Sequence, residues 1–304
     1  MRFLLGLTAL FLAAPTLAQT RTVATAASPS GALTLTVTTN GEGRVGYAVK
    51  RGETPVIGES HLGFLFTDSR QMLRNMELQG QTTASRDQLW EQPWGEWRQV
   101  RDRHNEVALT FQERDKLKRT MRVRFRVFDD AVAFRYELPE QPNLPTANIV
   151  EELTQFRVLG TGRAWWAPAY ESNREEYLYN DTPITGIGTG QTPLTIRRDD
   201  GIHVSIHEAA LVDYSGMNIA HVQDGLLKAD LTPSSSGPKV VRDTPFETPW
   251  RVIMIAPDAP SLYHANTVFL NLNEPNTLGD VSWIKPRKYV GVWWGMHLDT
   301  QSWA

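Results

Sequence analysis

The sequence predicts a mainly β chain, a large antiparallel β-sandwich, and the prediction rests on three features. Apolar and polar residues alternate in period two along several short runs. Turn residues break those runs at short intervals. Only Pro257 to Asn266 reads as a short helix. Many short antiparallel strands around one core make a sandwich. With 304 residues and no cysteine, the chain must be held by a packed core, which a chain of this length can build, and not by disulfides.

Residues 1–18 carry Arg2, an apolar run from Phe3 to Ala14, Pro15, and then Thr16-Leu17-Ala18 with small residues where a signal peptidase reads. That is the n, h and c pattern of a secretory signal peptide. The run is shorter than the ~20 apolar residues that span a bilayer, and no cysteine follows to take a lipid. The expectation is an exported protein without a membrane anchor. Ala32 to Thr38 then alternates, with Leu33, Leu35 and Val37 on one face. Asn40-Gly41 follows as a tight turn of positive φ, and Val45, Tyr47 and Val49 continue the hairpin.

Leu62 to Phe66, Trp97 to Arg101, Val107 to Glu113, Lys118 to Phe128, Ala131 to Glu137 and Glu152 to Val158 are further strands by composition. Met121 to Phe128 is the clearest, with Met121, Val123, Phe125 and Val127 on one face and Arg122, Arg124 and Arg126 on the other. The arginines read as a solvated sheet face with acidic cross-strand neighbours, not as a polyanion site. Asp129-Asp130 turns the chain into Ala131. From Trp165 to about Arg198 the pattern loosens into aromatic-lined loops, which serve function or pack against a sheet edge. Leu226 to Leu231, a serine-rich loop from Pro233 to Gly237, and the buried run Trp250 to Ile255 complete the sandwich.

The stretch His203 to Glu208 asks the sharpest question. As a strand it turns His203, Ser205 and His207 one way, and Val204, Ile206 and Glu208 the other. A carboxylate on the apolar side is costly to bury unless it is paired, hydrogen-bonded or bound to a cation. A glutamate at a strand end also has the option of swinging into water.

Net charge is −3, from 31 basic and 34 acidic side chains mixed along the chain, so no basic face recommends nucleic acid. Ten tryptophans are in excess. Most such rings are core, but aromatic rings also cover the flat C–H faces of sugars, which leans toward carbohydrate. Pro275 to Lys288 reads as a connector. Tyr289-Val-Gly-Val-Trp-Trp294, running into Gly295, is an apolar strand of different type, expected to open a second domain.

Three segments together resemble glycoside hydrolase family 97, the exported α-glucosidases and α-galactosidases of Gram-negative bacteria. They are Trp94-Gly95-Glu96 with Asn105-Glu106, then Ser205 to Leu211 with Asp213-Tyr214, then Thr248 to Arg251 with Trp283 to Pro286 and Lys288 to Trp294. The resemblance implies a β-super-sandwich similar to galactose mutarotase over residues 19–280. It makes residues 281–304 a linker and the first strand of a truncated (β/α)8 barrel, and places the protein in the periplasm. Inverting members of the family use a glutamate acid and a glutamate base, and retaining members an aspartate nucleophile. All of these belong to the barrel, so no catalytic residue is expected here. The N-terminal domain lends one glutamate to a Ca²⁺ ion, and Glu208 is the matching position. Barrel ligands absent from this sequence would complete the site, because Ca²⁺ takes 6–8 oxygens. His207, Asp230, Leu231 and Thr232 are the candidate sugar contacts at the domain junction.

Two other readings remain open at this stage: a stand-alone sugar-binding sandwich, and an aldose epimerase of the mutarotase type. The epimerase needs a histidine and a carboxylate opposed across one pocket. His207 and Glu208 are adjacent on a strand and point apart.

Overall fold

A computed structural model describes residues 19–171 and 177–289. The signal peptide read over residues 1–18, and the apolar strand from residue 290 onward, lie outside them. The described chain is mostly antiparallel strand. One eight-stranded sheet runs Arg21–Ala27, Leu33–Thr39, Val45–Arg51, Thr54–His61, Gln155–Val158, Leu226–Leu231, Met217–Gln223, Thr189–Gly190. A ten-stranded sheet runs Asn180–Pro183, Gly162–Trp166, Leu194–Arg198, His203–Ala209, Trp250–Ala256, Ala131–Leu138, Thr120–Val127, Gln99–Glu113, Met76–Glu91, with Phe246–Glu247 paired to Ala131–Leu138. Val240–Asp243, Thr146–Glu152 and Phe64–Phe66 form a third, small sheet.

The alternating faces seen in the sequence meet between the two large sheets. Leu33, Leu35, Val37 and Tyr47 from one sheet pack with Val123, Phe125, Phe134 and Ile206 from the other, all fully buried. Tyr47 spans the layers, its ring 5.0 Å from Phe134 and 6.1 Å from Phe125. Its hydroxyl donates to the Gln155 carbonyl at 2.8 Å, so the polar tip is satisfied inside an apolar core. Trp250–Ala256 is buried on both faces. Its outer face, with Ala131 and Ala133, is covered by two short helices, Ala259–His264 and Thr267–Leu272, through Leu262, Ala265, Val268 and Leu272.

Several expectations are corrected in detail. The Asn40-Gly41 turn is longer than two residues: Gly43, not Gly41, takes the positive φ of 72°. Asn40 stays as its organiser, its side-chain oxygen accepting the amides of Glu42 and Arg44. Glu152 to Val158 is two strands in different sheets, because the chain changes layer at Leu153-Thr154. Trp165-Trp166 ends a strand instead of lying in a loop, and a second helix follows the expected one. Met76–Glu91 and Gln99–Glu113 form a long ribbon. Its outer strand is exposed along nearly all its length, so no hydrophobic alternation announced it.

The arginine face has the acidic neighbours expected of it. Arg124 bonds Glu137 and Glu106, and Arg126 bonds Glu106 at 3.0 Å. It is less wet than a free sheet face. Arg126 and Arg135 both lie over the Trp250 ring, at 4.7 and 4.6 Å, and Arg126 also reaches the Asn271 carbonyl.

At the Asp129-Asp130 turn, burial pushes the Asp130 carboxyl up to about 6, with the like charge of Asp129 adding to it. The folded state therefore holds a proton more tightly than the unfolded chain, whose carboxyl titrates near 4. Stability is lost as pH rises through that window. Asp130→Asn is expected to match the wild type near pH 4 and exceed it by about 1–3 kcal/mol above pH 7. Paired thermal melts from pH 4 to 8 check this, and a constant offset across the range would refute it.

Candidate functional site

The strand His203–Ala209 lies between Leu194–Arg198 and Trp250–Ala256. Val204 and Ile206 enter the core between the sheets, and Glu208 follows on their face with 8% of its side chain exposed. Register places Arg251 directly opposite Glu208, so the two side chains share that face. Arg251 Nη1 donates to Glu208 Oε2 at 2.6 Å. The same guanidinium grips Glu152 with its other edge, Nε to Oε1 at 2.8 Å and Nη2 to Oε2 at 2.6 Å. Arg251 and Glu152 are both wholly buried.

Further donors complete the network. Thr154 Oγ1 donates to Glu152 Oε1 at 2.7 Å and Tyr214 OH to Oε2 at 3.2 Å. Tyr136 OH meets Thr154 Oγ1 at 2.6 Å. Glu208 Oε1 accepts the Met217 amide at 2.9 Å. Burial raises the Glu208 carboxyl above its ordinary range, opposed by Arg251 and the Met217 amide and aided by Glu152. Burial, with Glu152 beside it, also keeps the Tyr214 hydroxyl protonated far above its usual range.

After Ala209 the chain must leave the sheet sharply, and Ala210 and Asp213 take φ of 52° and 48° to do so. Side chains rarely adopt that region, so the turn is held from outside. Arg242 Nη1 clamps the Asp213 carbonyl at 2.7 Å and its carboxylate at 2.5 Å. The returning segment lines a cleft of about 430 Å³ with Tyr214, Ser215, Gly216, Thr232 and Lys239. A side-chain carbon at Gly216, which lines the cleft, would lie in ordinary contact with Glu208 Oε1 at 3.7 Å and with Thr232 Oγ1 at 3.8 Å.

A second polar set continues the wall. Lys239 Nζ bridges Glu151 Oε1 at 2.9 Å and Asp230 Oδ1 at 3.1 Å. Tyr170 OH donates to Asp230 Oδ2 at 3.1 Å, and Asn218 Nδ2 reaches both Tyr170 OH and Thr232 Oγ1 at 3.2 Å. Asp230 and Thr232 are thus joined in one hydrogen-bonded set through Tyr170 and Asn218, while Glu208 bonds only Arg251 and the Met217 amide. Leu231 does not present its side chain there, since it is buried in the core and only its carbonyl faces Tyr170 OH, at 3.4 Å. His207 lies behind the strand. Its Nδ1 is 3.0 Å from Thr192 Oγ1, its ring is 5.3 Å from Phe269, and burial lowers its pKa. His207 and Glu208 are therefore not an opposed acid–base pair.

Arg251, Glu152, Tyr170, Asn218 and Lys239 were not among the sequence candidates. Arg251 carried a signal, as a lone charge inside the apolar run Trp250 to Ile255; it is the partner that Glu208 required. Among the described residues, no three His, Cys, Asp or Glu side chains are grouped to hold a metal ion.

Residues 26–275 match the glycosyl-hydrolase 97 N-terminal family. This chain belongs to glycoside hydrolase family 97. A family 97 enzyme from Pseudoalteromonas sp., solved in complexes with panose and with acarbose, is 44% identical and superposes with a TM-score of 0.87, over 92% of this chain and 42% of that one. A retaining α-galactosidase of Bacteroides thetaiotaomicron is 22% identical over 303 residues, which cover 89% of this chain and 44% of the relative. A probable retaining α-galactosidase of Streptomyces bingchenggensis is 26% identical over 294 residues, covering 93% and 43%. The family 97 chain spans less than half the length of these relatives.

Proposed function

We propose that this chain is the N-terminal domain of an exported, periplasmic, calcium-dependent α-glycosidase. In this reading a catalytic barrel follows it and carries the groups that cleave the bond. The domain contributes Glu208 as one calcium ligand and the polar wall of the adjoining cleft. One observation carries the reading. The buried set of Glu152, Arg251 and Glu208 holds two carboxylates against one guanidinium, and Glu208 alone of the three keeps some exposure, 8% of its side chain. One formal negative charge is left over, which a cation would balance.

The donor chemistry fits a single ligand and no more. Each Glu208 oxygen uses one lone pair, on Met217 N–H or on Arg251, and keeps another. Ca²⁺ takes 6–8 oxygens at about 2.3–2.6 Å, so this domain alone would bind it weakly. Bound there, the ion would offset like-charged carboxylates and orient the sugar. Asp230, Thr232, Tyr170 and Asn218 offer donors and acceptors for sugar hydroxyls, with the Leu231 carbonyl behind them; His207 is left out of this wall.

Substrates are α-linked oligosaccharides. Panose is built from α-linked glucose, and the family 97 enzyme solved with it shares more sequence with this chain than the α-galactosidases do. This favours α-glucosides over α-galactosides.

The test uses the full-length protein encoded by the gene. Glu208→Gln is expected to weaken calcium affinity at least about tenfold and to raise the calcium needed for hydrolysis of an α-glucoside. Unchanged calcium affinity and kcat would refute the assignment. Export predicts a mature protein beginning at Gln19, checked by N-terminal sequencing.

A further inference from the structure

Resting on the reading of Glu208 as a cation ligand, we infer that Arg251 and Glu152 form a positioning pair that aims the Glu208 carboxylate and leaves it negatively charged. The geometry divides the guanidinium between two jobs. Its Nε/Nη2 edge is matched in parallel by both oxygens of Glu152, the bidentate arrangement that fixes a guanidinium plane. Only Nη1 remains for Glu208, at 2.6 Å on one oxygen. The Met217 amide holds the other oxygen, so the carboxylate is fixed at both ends without being chelated.

Charge explains why two acidic residues are needed. Arg251 alone would neutralise Glu208 and leave it a poor partner for a cation. With Glu152 engaging two of its N–H groups, the guanidinium is shared, and the set stays at one net negative charge. Glu152 in turn is anchored by Thr154 and Tyr214, and Tyr214 also lines the cleft. The network therefore ties the small sheet, which ends at Glu152, to the ten-stranded sheet and to the cleft wall. A pair serving stability alone has no need of the third member, since buried ion pairs rarely stabilise more than apolar residues of the same volume.

The experiment measures calcium affinity by calorimetry on the full-length protein, and melting temperature with and without calcium. Glu152→Gln keeps the shape and removes the extra charge; calcium affinity is expected to fall about tenfold or more. Arg251→Lys keeps the cation and loses the fork; affinity is expected to fall as Glu208 loses its aim. If Glu152→Gln does not fold, Arg251→Lys alone decides. A lower melting temperature in the absence of calcium, with calcium affinity and calcium-induced stabilisation unchanged, would make the pair structural only and overturn the inference. Glu208→Gln is the control. If that substitution leaves calcium affinity intact, the ligand assignment itself fails. If it abolishes affinity while the pair variants do not, only the positioning role fails.

Discussion

Replacing Arg251 by alanine is expected to cost about 3–5 kcal/mol of stability, read as a lower midpoint in urea at unchanged slope. The side chain is wholly buried, and its loss leaves Glu152 in the core without its cation, with only the Thr154 and Tyr214 hydroxyls to meet it. Glu208 loses its charge partner at the same time and keeps only the Met217 amide. The cost comes from orphaned charge more than from lost contact. A triple variant, Glu152→Leu with Arg251→Met and Glu208→Leu, is therefore expected to recover most of the loss, because removing all the charges removes the desolvation penalty with them. If the triple variant were as unstable as Arg251→Ala, packing volume and not charge would be the cause. Arg119 provides an internal comparison: it is equally buried, bonds Glu113 at 2.7 and 2.6 Å, and also holds the carbonyls of Arg70 and Gln71. Arg119→Ala is expected to fall in the same range without touching the cleft.

What the sequence revealed and what it hid follow from where each residue gets its partners. Leu33, Leu35 and Val37, or Met121 through Val127, alternate because one face of each strand enters the core, and the core is a property of composition along a line. The same logic placed Glu208 on the apolar face, where the structure has it. Its partner was harder to find. Arg251 is 43 residues away along the chain in the bond they share, and Glu152 is 99 from Arg251. Only sheet register brings them together, and period-two patterning does not specify which strands become neighbours. The exposed ribbon from Met76 to Glu91 was illegible for the opposite reason, as a strand with two wet faces has no pattern to read. Asp230 and Thr232 were reachable as polar residues at the end of a strand before the serine-rich loop, but Tyr170 and Lys239, which fix Asp230, come from a loop and a turn with no periodicity of their own.

Phe134→Ala is expected to cost about 3–5 kcal/mol, with Phe134→Leu closer to 1.5 kcal/mol. Phe134 is fully buried, with Tyr47 at 5.0 Å, Phe125 at 5.4 Å, and Tyr136 and Phe156 at 6.3 Å. The ring therefore has close-packed neighbours in both large sheets, and neither sheet can collapse inward without displacing the other. Register gives the position a second importance, because Phe134 is paired with Phe125 on one side and with Arg251 on the other. Phe125, Phe134, Arg251 and Glu208 share one face of four adjacent strands, with Glu152 reaching Arg251 from the small sheet, and a void left at Phe134 opens beside the strand position of Arg251. Stability losses of Phe134→Leu and Arg251→Met are then expected to be non-additive by roughly 0.5–3 kcal/mol, as for residues in contact. A double-mutant cycle by urea unfolding measures that coupling. Simple additivity would mean that the core and the triad are independent, and that the apolar packing does nothing to keep water away from the pair that aims Glu208.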